Sequence, residues 1–216
     1  MSWEFFEQIS LASLIDHFAV AVFAFTGALV ASRKQMDIFG FILLGTVTGV
    51  GGGTVRDVLL GKTPLSWVQE PSYIVVCIMA ACITFFTAHL LSSRYRLLLW
   101  LDALGVSLFC VLGAEQAMAV NAHPLVAVIM GMITATFGGI IRDVLGGEVS
   151  LLLKREIYVT AALTGAIVFV GLSAISDDRL LNVGAGFICC FVFRGLALHF
   201  GWSVPGYKAR PGRDIY

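Results

Sequence analysis

The stretch Thr48-Gly49-Val50-Gly51-Gly52-Gly53-Thr54-Val55-Arg56-Asp57 occurs a second time, with changes, as Thr134-Ala135-Thr136-Phe137-Gly138-Gly139-Ile140-Ile141-Arg142-Asp143. The copies lie 86 positions apart. The same ungapped offset carries Asp16, Val20, Phe23, Gly27, Ala28 and Ala31 onto Asp102, Val106, Phe109, Gly113, Ala114 and Ala117. It also carries Gly45 onto Gly131, Val58-Leu59 onto Val144-Leu145, Gly61 onto Gly147, Leu65 onto Leu151 and Glu70 onto Glu156. Seventeen identities fall across the 55 positions 16–70, among them charged residues and clustered glycines that shared hydrophobicity alone would not produce. The chain is internally duplicated.

What surrounds the two stretches is apolar. Of 216 residues, 58% are hydrophobic and only 13% charged, with a mean hydropathy of +0.91, whereas a soluble domain carries about 25% charge. A membrane-spanning helix needs roughly 20 apolar residues. The apolar runs predict seven of them, near 9–31, 38–60, 71–91, 97–118, 122–146, 157–175 and 180–200. The expected fold is therefore an all-α membrane protein of one domain over 1–216: repeat one at about 9–91, repeat two at about 97–175, a seventh helix at about 180–200 and a tail over 201–216.

Three spans per repeat is an odd number, so the second copy enters the membrane from the opposite side, and the repeats are inverted. Lys and Arg set the orientation. One face receives Arg33, Lys34, Arg94, Arg96, Lys154, Arg155, Lys208, Arg210 and Arg213, and the other only Lys62 and Arg179. This distribution places the N-terminus outside and the C-terminus, with its short tail Lys208 to Tyr216, in the cytoplasm. The segment Met1 to Gln8 carries Glu4 and Glu7 and no basic residue, unlike the start of a secretory signal, so the first span is expected to be retained.

Several function classes drop out. Fourteen basic and fourteen acidic residues balance, leaving no basic field for a nucleic-acid partner. The five cysteines, Cys77, Cys82, Cys110, Cys189 and Cys190, fall in apolar stretches and read as small buried hydrophobes. The four histidines lie apart, and no metal or cofactor site is expected. Gly61-Lys62-Thr63 resembles the end of a phosphate loop, but Arg56 occupies the place of its first glycine. Gly51 and Gly53 begin a dinucleotide fingerprint whose third glycine would also fall at Arg56. With no nucleophile and base in matching positions, an enzyme is not expected.

Tandem glycines cost about 1 kcal/mol each in a helix relative to Ala, so spans two and five are expected to bend or break there. Irregular backbone at membrane depth must be buried in protein or line a watery cavity, and a broken helix would offer free carbonyls to a cation. The alternative is that the glycines serve close packing, the role expected of Gly27-Ala28 and Gly113-Ala114. Asp16, Arg56, Asp57, Asp102, Arg142 and Asp143 are costly within or at the ends of spans and should face the interior. Each repeat could pair its Asp and Arg, Asp16 with Arg56 and Asp102 with Arg142, whereas adjacent positions such as Arg56 and Asp57 should not face each other. Two carboxylates against one guanidinium leave each repeat a surplus negative charge that favours a cation. In the competing reading, the pairs only hold helix ends together.

A seven-span chain with a doubled Gly-Gly-x-x-Arg-Asp signature, at Gly52 to Asp57 and Gly138 to Asp143, resembles the prokaryotic branch of the trimeric intracellular cation channel family. The resemblance covers all seven spans. It implies a homotrimer in the bacterial inner membrane, each protomer with its own potassium-permeable pore for monovalent cations, with limited discrimination against sodium. It implies that Gly51, Gly52, Gly53, Gly138 and Gly139 form bends, with Thr48 and Thr134 beside them, and that Arg56, Asp57, Arg142 and Asp143 shape the pore, while Asp16 and Asp102 supply further acid groups. Phe137 stands where the first copy has Gly51. The Lys-Glu-Val signature of eukaryotic relatives is missing, so their lipid binding and voltage response are not carried over; membrane lipids are expected only as surroundings. Similar bacterial sequences have also been described as small amino-acid transporters, glycine among the substrates. Inverted repeats with broken helices suit alternating access too.

Overall fold

A computed structural model describes residues 11–90, 93–151 and 157–203, with the side chains of Leu11 and Ala12 excepted. Among these residues the helices are α1 (Leu11–Arg33), α2 (Ile38–Leu59), a single turn α3 (Ser66–Gln69), α4 (Ser72–Thr87, prolonged by a 3-10 turn over Ala88–Leu90), α5 (Arg94–Ala119), α6 (Pro124–Leu145), α7 (Val159–Ser173) and α8 (Arg179–Phe200). No strand occurs among them. Six helices are long and apolar enough to cross a membrane. The seventh, α7, has 15 residues and reaches about 22 Å. The segment Met1 to Gln8, Lys154, Arg155 and the tail from Lys208 lie outside the described residues.

Local chemistry sets these ends. The Asp37 carboxylate accepts from the Gly40 N–H and starts α2, Pro124 at the first position starts α6, and Asp178 caps α8 through the Leu180 and Leu181 N–H groups. The duplication reappears atom by atom. Both α2 and α6 span 22 residues at the offset of 86 and end in glycines of positive φ, Gly61 at 65° and Gly147 at 61°. There the Lys62 N–H bonds the Asp57 carbonyl, and the Glu148 N–H bonds the Asp143 carbonyl, both at 2.8 Å. Such left-handed caps return the chain after a helix, and glycine adopts them without a Cβ penalty.

Helices α1, α2 and α4 pack together, as do α5, α6 and α7; the halves meet along α2–α6 and α1–α5, and α8 lies against α7 and α5. Equivalent residues meet at the centre. The Phe23 and Phe109 rings approach to 5.0 Å. Gly27 fits against the Leu44 carbonyl and Thr48, and Gly113 against the Met130 carbonyl and Thr134, which is the close packing expected of these small residues. Lys62 reaches Gln116 and Arg179 holds Glu115 at one end of the bundle. At the other, Arg33 holds Glu148 at 3.0 Å and lies over the Tyr95 ring.

Candidate functional site

The glycine stretches meet where α2 crosses α6. A methyl on Gly52 would collide with the Thr134 carbonyl oxygen, and one on Gly138 would lie 2.6 Å from the Thr48 carbonyl oxygen, so each helix presses its glycine on the other's backbone. Gly51 sits against Ile141. Thr48 and Thr134 are fully buried and turn their hydroxyls back to the Leu44 and Met130 carbonyls, at 2.5 and 2.6 Å. Neither helix is broken. Both are α-helical through the glycines, and the free carbonyls expected of a broken helix are not found, because contact across the crossing offsets the helix-weakening of glycine. Gly53 differs: a methyl there would meet open space, with only Arg56 Nη2 near it, at 3.7 Å.

At the Lys62 end, Arg56 donates through Nε and Nη2 to Asp57 Oδ1 at 2.9 and 2.8 Å. Adjacent residues thus do pair, because the long, forked guanidinium bends back along the helix flank to reach a carboxylate about 100° away. Asp57 Oδ2 accepts from the Ser66 N–H and hydroxyl at 2.8 and 2.6 Å, tying α3 to α2. Trp67 Nε1 donates to Thr54 Oγ1. The expected Asp16–Arg56 pair is not formed; Asp16 Oδ2 instead accepts from the Tyr73 hydroxyl at 2.6 Å. The nearer phenol on α4 satisfies the carboxylate. Asp16, Gly53, Arg56, Trp67 and Tyr73 line a cleft of about 30 Å³, room for one or two waters.

Toward the Arg33 end the charged groups are buried. Arg142 and Asp102, both fully buried, pair at 2.7 Å between Nη1 and Oδ1, as expected from sequence. Arg142 also donates to Thr26 Oγ1 at 3.0 Å and to Asp143 Oδ1 at 2.8 Å, while Asp143 Oδ2 accepts from the Leu151 N–H. Tyr158 takes the space beside Gly139: a methyl there would lie 2.7 Å from the tyrosine hydroxyl and 3.5 Å from Asp102 Oδ1. Arg194, 1% exposed, stands 5.3 Å from the Tyr158 ring centre. From sequence, each repeat holds a single guanidinium. Here α8 brings a second one against Tyr158, where it also donates through Nη1 to the Ile157 carbonyl at 3.3 Å.

Residues missed from sequence are Ser66, Trp67, Tyr73, Tyr158 and Arg194. The first four carry no charge and do not repeat at the offset of 86. Arg194 had a usable signal, being an ionisable residue inside a span. Among the described residues, no cluster of His, Cys, Asp and Glu could hold a metal ion.

A family model described as "Glycine transporter" matches residues 13–89 and again 99–174, once on each half. A crystal structure of a trimeric intracellular cation channel orthologue from Rhodobacter sphaeroides superposes with a TM-score of 0.87 at 57% identity, covering 89% of this chain and 99% of that one. A "UPF0126 membrane protein" of Vibrio cholerae is 37% identical over 92% of this chain and 83% of its own length. The "UPF0126 inner membrane protein YadS" of Escherichia coli K12 is 44% identical over 71% of this chain and 75% of its own.

Proposed function

Because the chain belongs to the prokaryotic branch of the trimeric intracellular cation channel family, we propose that it is a potassium-permeable channel for monovalent cations, with one path through each protomer of a homotrimer in the bacterial inner membrane. The observation that carries this reading is the 57% identity to a solved cation-channel orthologue across nearly the whole of both chains. The path runs from the Lys62-end cleft, past Asp16, Gly53, Arg56 and Asp57, along the α2–α6 crossing at Thr48, Gly51, Gly52, Thr134 and Gly138, to Gly139, Arg142, Asp143 and Asp102. The cleft end faces outward and the Arg33 end the cytoplasm, with the repeats inverted, in keeping with the basic residues.

Cations are favoured at the outer end by two carboxylates, Asp16 and Asp57, against one guanidinium, Arg56. At the inner end the path is gated by Arg142, Asp102 and Tyr158, all buried. Opening requires α6 to bend at Gly138-Gly139, where glycine lowers the cost of departing from helical geometry, and α2 to bend in the same way at Gly51 to Gly53.

The family model's description raises a second reading, carriage of glycine. A cleft with room for one or two waters suits a partly hydrated ion better than a zwitterionic amino acid with two charged ends to satisfy. Purified protein in a planar bilayer under a KCl gradient separates the two. Unitary current steps are expected; saturable glycine exchange without any unitary current would overturn the channel reading.

A further inference from the structure

His17 follows Asp16 on α1, and residues of α1 and α4 hold its ring. The imidazole stacks on the Tyr73 phenol, with 4.2 Å between ring centres and 9° between planes. Nδ1 lies 2.7 Å from the Ser13 carbonyl oxygen, and Nε2 lies 2.8 Å from Ser72 Oγ. Glu70 Oε1 stands 3.1 Å from Ser72 Oγ and 3.5 Å from Nε2. The same Tyr73 phenol donates its hydroxyl to Asp16, and both residues line the cleft. A carbonyl only accepts, so Nδ1 carries a proton in either charge state and Nε2 is the atom that gains or loses one. Neutral, Nε2 accepts from the Ser72 hydroxyl. Protonated, it donates to the Ser72 oxygen, whose own hydrogen turns to Glu70. These neighbours satisfy both states without displacing the ring, and with 20% of its side chain exposed the imidazole can exchange protons with water.

The charged and titratable groups around it are Asp16 on its own helix, Glu70 before α4, Tyr73 within α4, and the Arg56–Asp57 pair of α2 at the cleft. Helix α3 brings none; at the same end Lys62 reaches Gln116, and Glu115 of α5 is held by Arg179 of α8. Glu4 and Glu7 lie outside the described residues. Whatever balance these groups strike, a proton on His17 adds one positive charge to it. We propose that His17 is a proton-binding site that regulates cation entry at the Lys62 end: neutral, it leaves the mouth beside Asp16 attractive to potassium, and protonated, it opposes that attraction. The inference rests on the channel reading. Histidine is the side chain whose charge ordinarily changes between about pH 5 and 8, whereas carboxylates and phenols ordinarily titrate outside that window. A narrow mouth with low-dielectric walls focuses such a charge on a passing ion.

Single-channel records in about 0.1 M KCl test this. Lowering the pH from about 8 to about 5.5 in one chamber should cut the unitary potassium current roughly two- to three-fold, and the same change in the opposite chamber should leave it unaltered. His17→Gln should hold the parent's pH 8 current at both pH values, and His17→Arg, charged throughout, should hold the lower current at both. His123→Gln, which removes the other histidine of this end, should keep the parent's response. Melting temperatures on the same preparations report folding, and since neither His17 variant titrates, whichever of them folds decides the matter. The proposal is overturned if the parent's current ignores pH, if both chambers act alike, if a folded His17 variant still responds as the parent does, or if His123→Gln abolishes the response. A parent that passes no current at any pH defeats the channel reading and this inference with it, whereas a current indifferent to pH defeats the inference alone.

Discussion

Gly52 and Gly53 are neighbours in sequence with opposite surroundings, and alanine at each should separate packing from conduction. Gly52→Ala drives a methyl into the Thr134 carbonyl and should cost roughly 1–3 kcal/mol as overpacking, seen as a lower melting temperature and less assembled protein. Gly53→Ala meets open space and should keep or raise the melting temperature, since alanine favours helix by about 1 kcal/mol, while unitary conductance falls because the methyl enters the cleft. Unchanged conductance in Gly53→Ala would remove that residue from the path. The acids divide in the same manner. Asp102→Asn strips a charge from a fully buried pair and should destabilise by about 3–5 kcal/mol. Asp16→Asn retains an acceptor for Tyr73 and should cost no more than about 1.5 kcal/mol, so comparable thermal losses in the two variants would contradict these two environments.

Among the elements, α3 has its counterparts at the offset of 86 in positions 152–155, outside the described residues. One turn long, it is held by Ser66 to Asp57 and by Trp67 to Thr54, and its indole forms one wall of the Lys62-end cleft. Trp67→Ala should widen that mouth, raising unitary potassium conductance while changing the melting temperature little, because Trp67 is only half-buried. A reduced conductance with a normal melting temperature would mean that the indole guides ions rather than obstructs them. The crossing of α2 and α6 is different: two backbones meet there over glycine, and side chains of any size would push them apart.

For the molecule as a whole, the duplication, the crossing and the ends of the bundle define one axis from the Lys62 side to the Arg33 side. A reporter fused after Tyr216 should read as cytoplasmic, and a periplasmic signal would upset the orientation of both repeats. Reversal potentials in asymmetric KCl should lie near the potassium limit, the outer carboxylates outnumbering Arg56; values near the chloride limit would remove the charge argument. Helix α8 is tied to the second half through Arg194, which lies over the Tyr158 ring.

Much of this was legible in the chain itself. The apolar runs dictated helices because lipid offers no partner to a bare N–H or C=O. The offset of 86 announced two equivalent halves, since spaced glycines and charges recur only where the same backbone needs them. Asp102 with Arg142 could be paired on paper because both lie in the same half at the same depth. What sequence could not supply was the partner chosen by a side chain with several within reach. Asp16 turned to Tyr73 and Arg56 to Asp57 because hydrogen-bond geometry, set by how the helices rotate against one another, decides among near neighbours. The tertiary structure alone decided that Gly52 is pressed on a backbone while Gly53 faces a cleft, and that Arg194 falls beside the second half, for such distances depend on packing between helices rather than on position along any one of them.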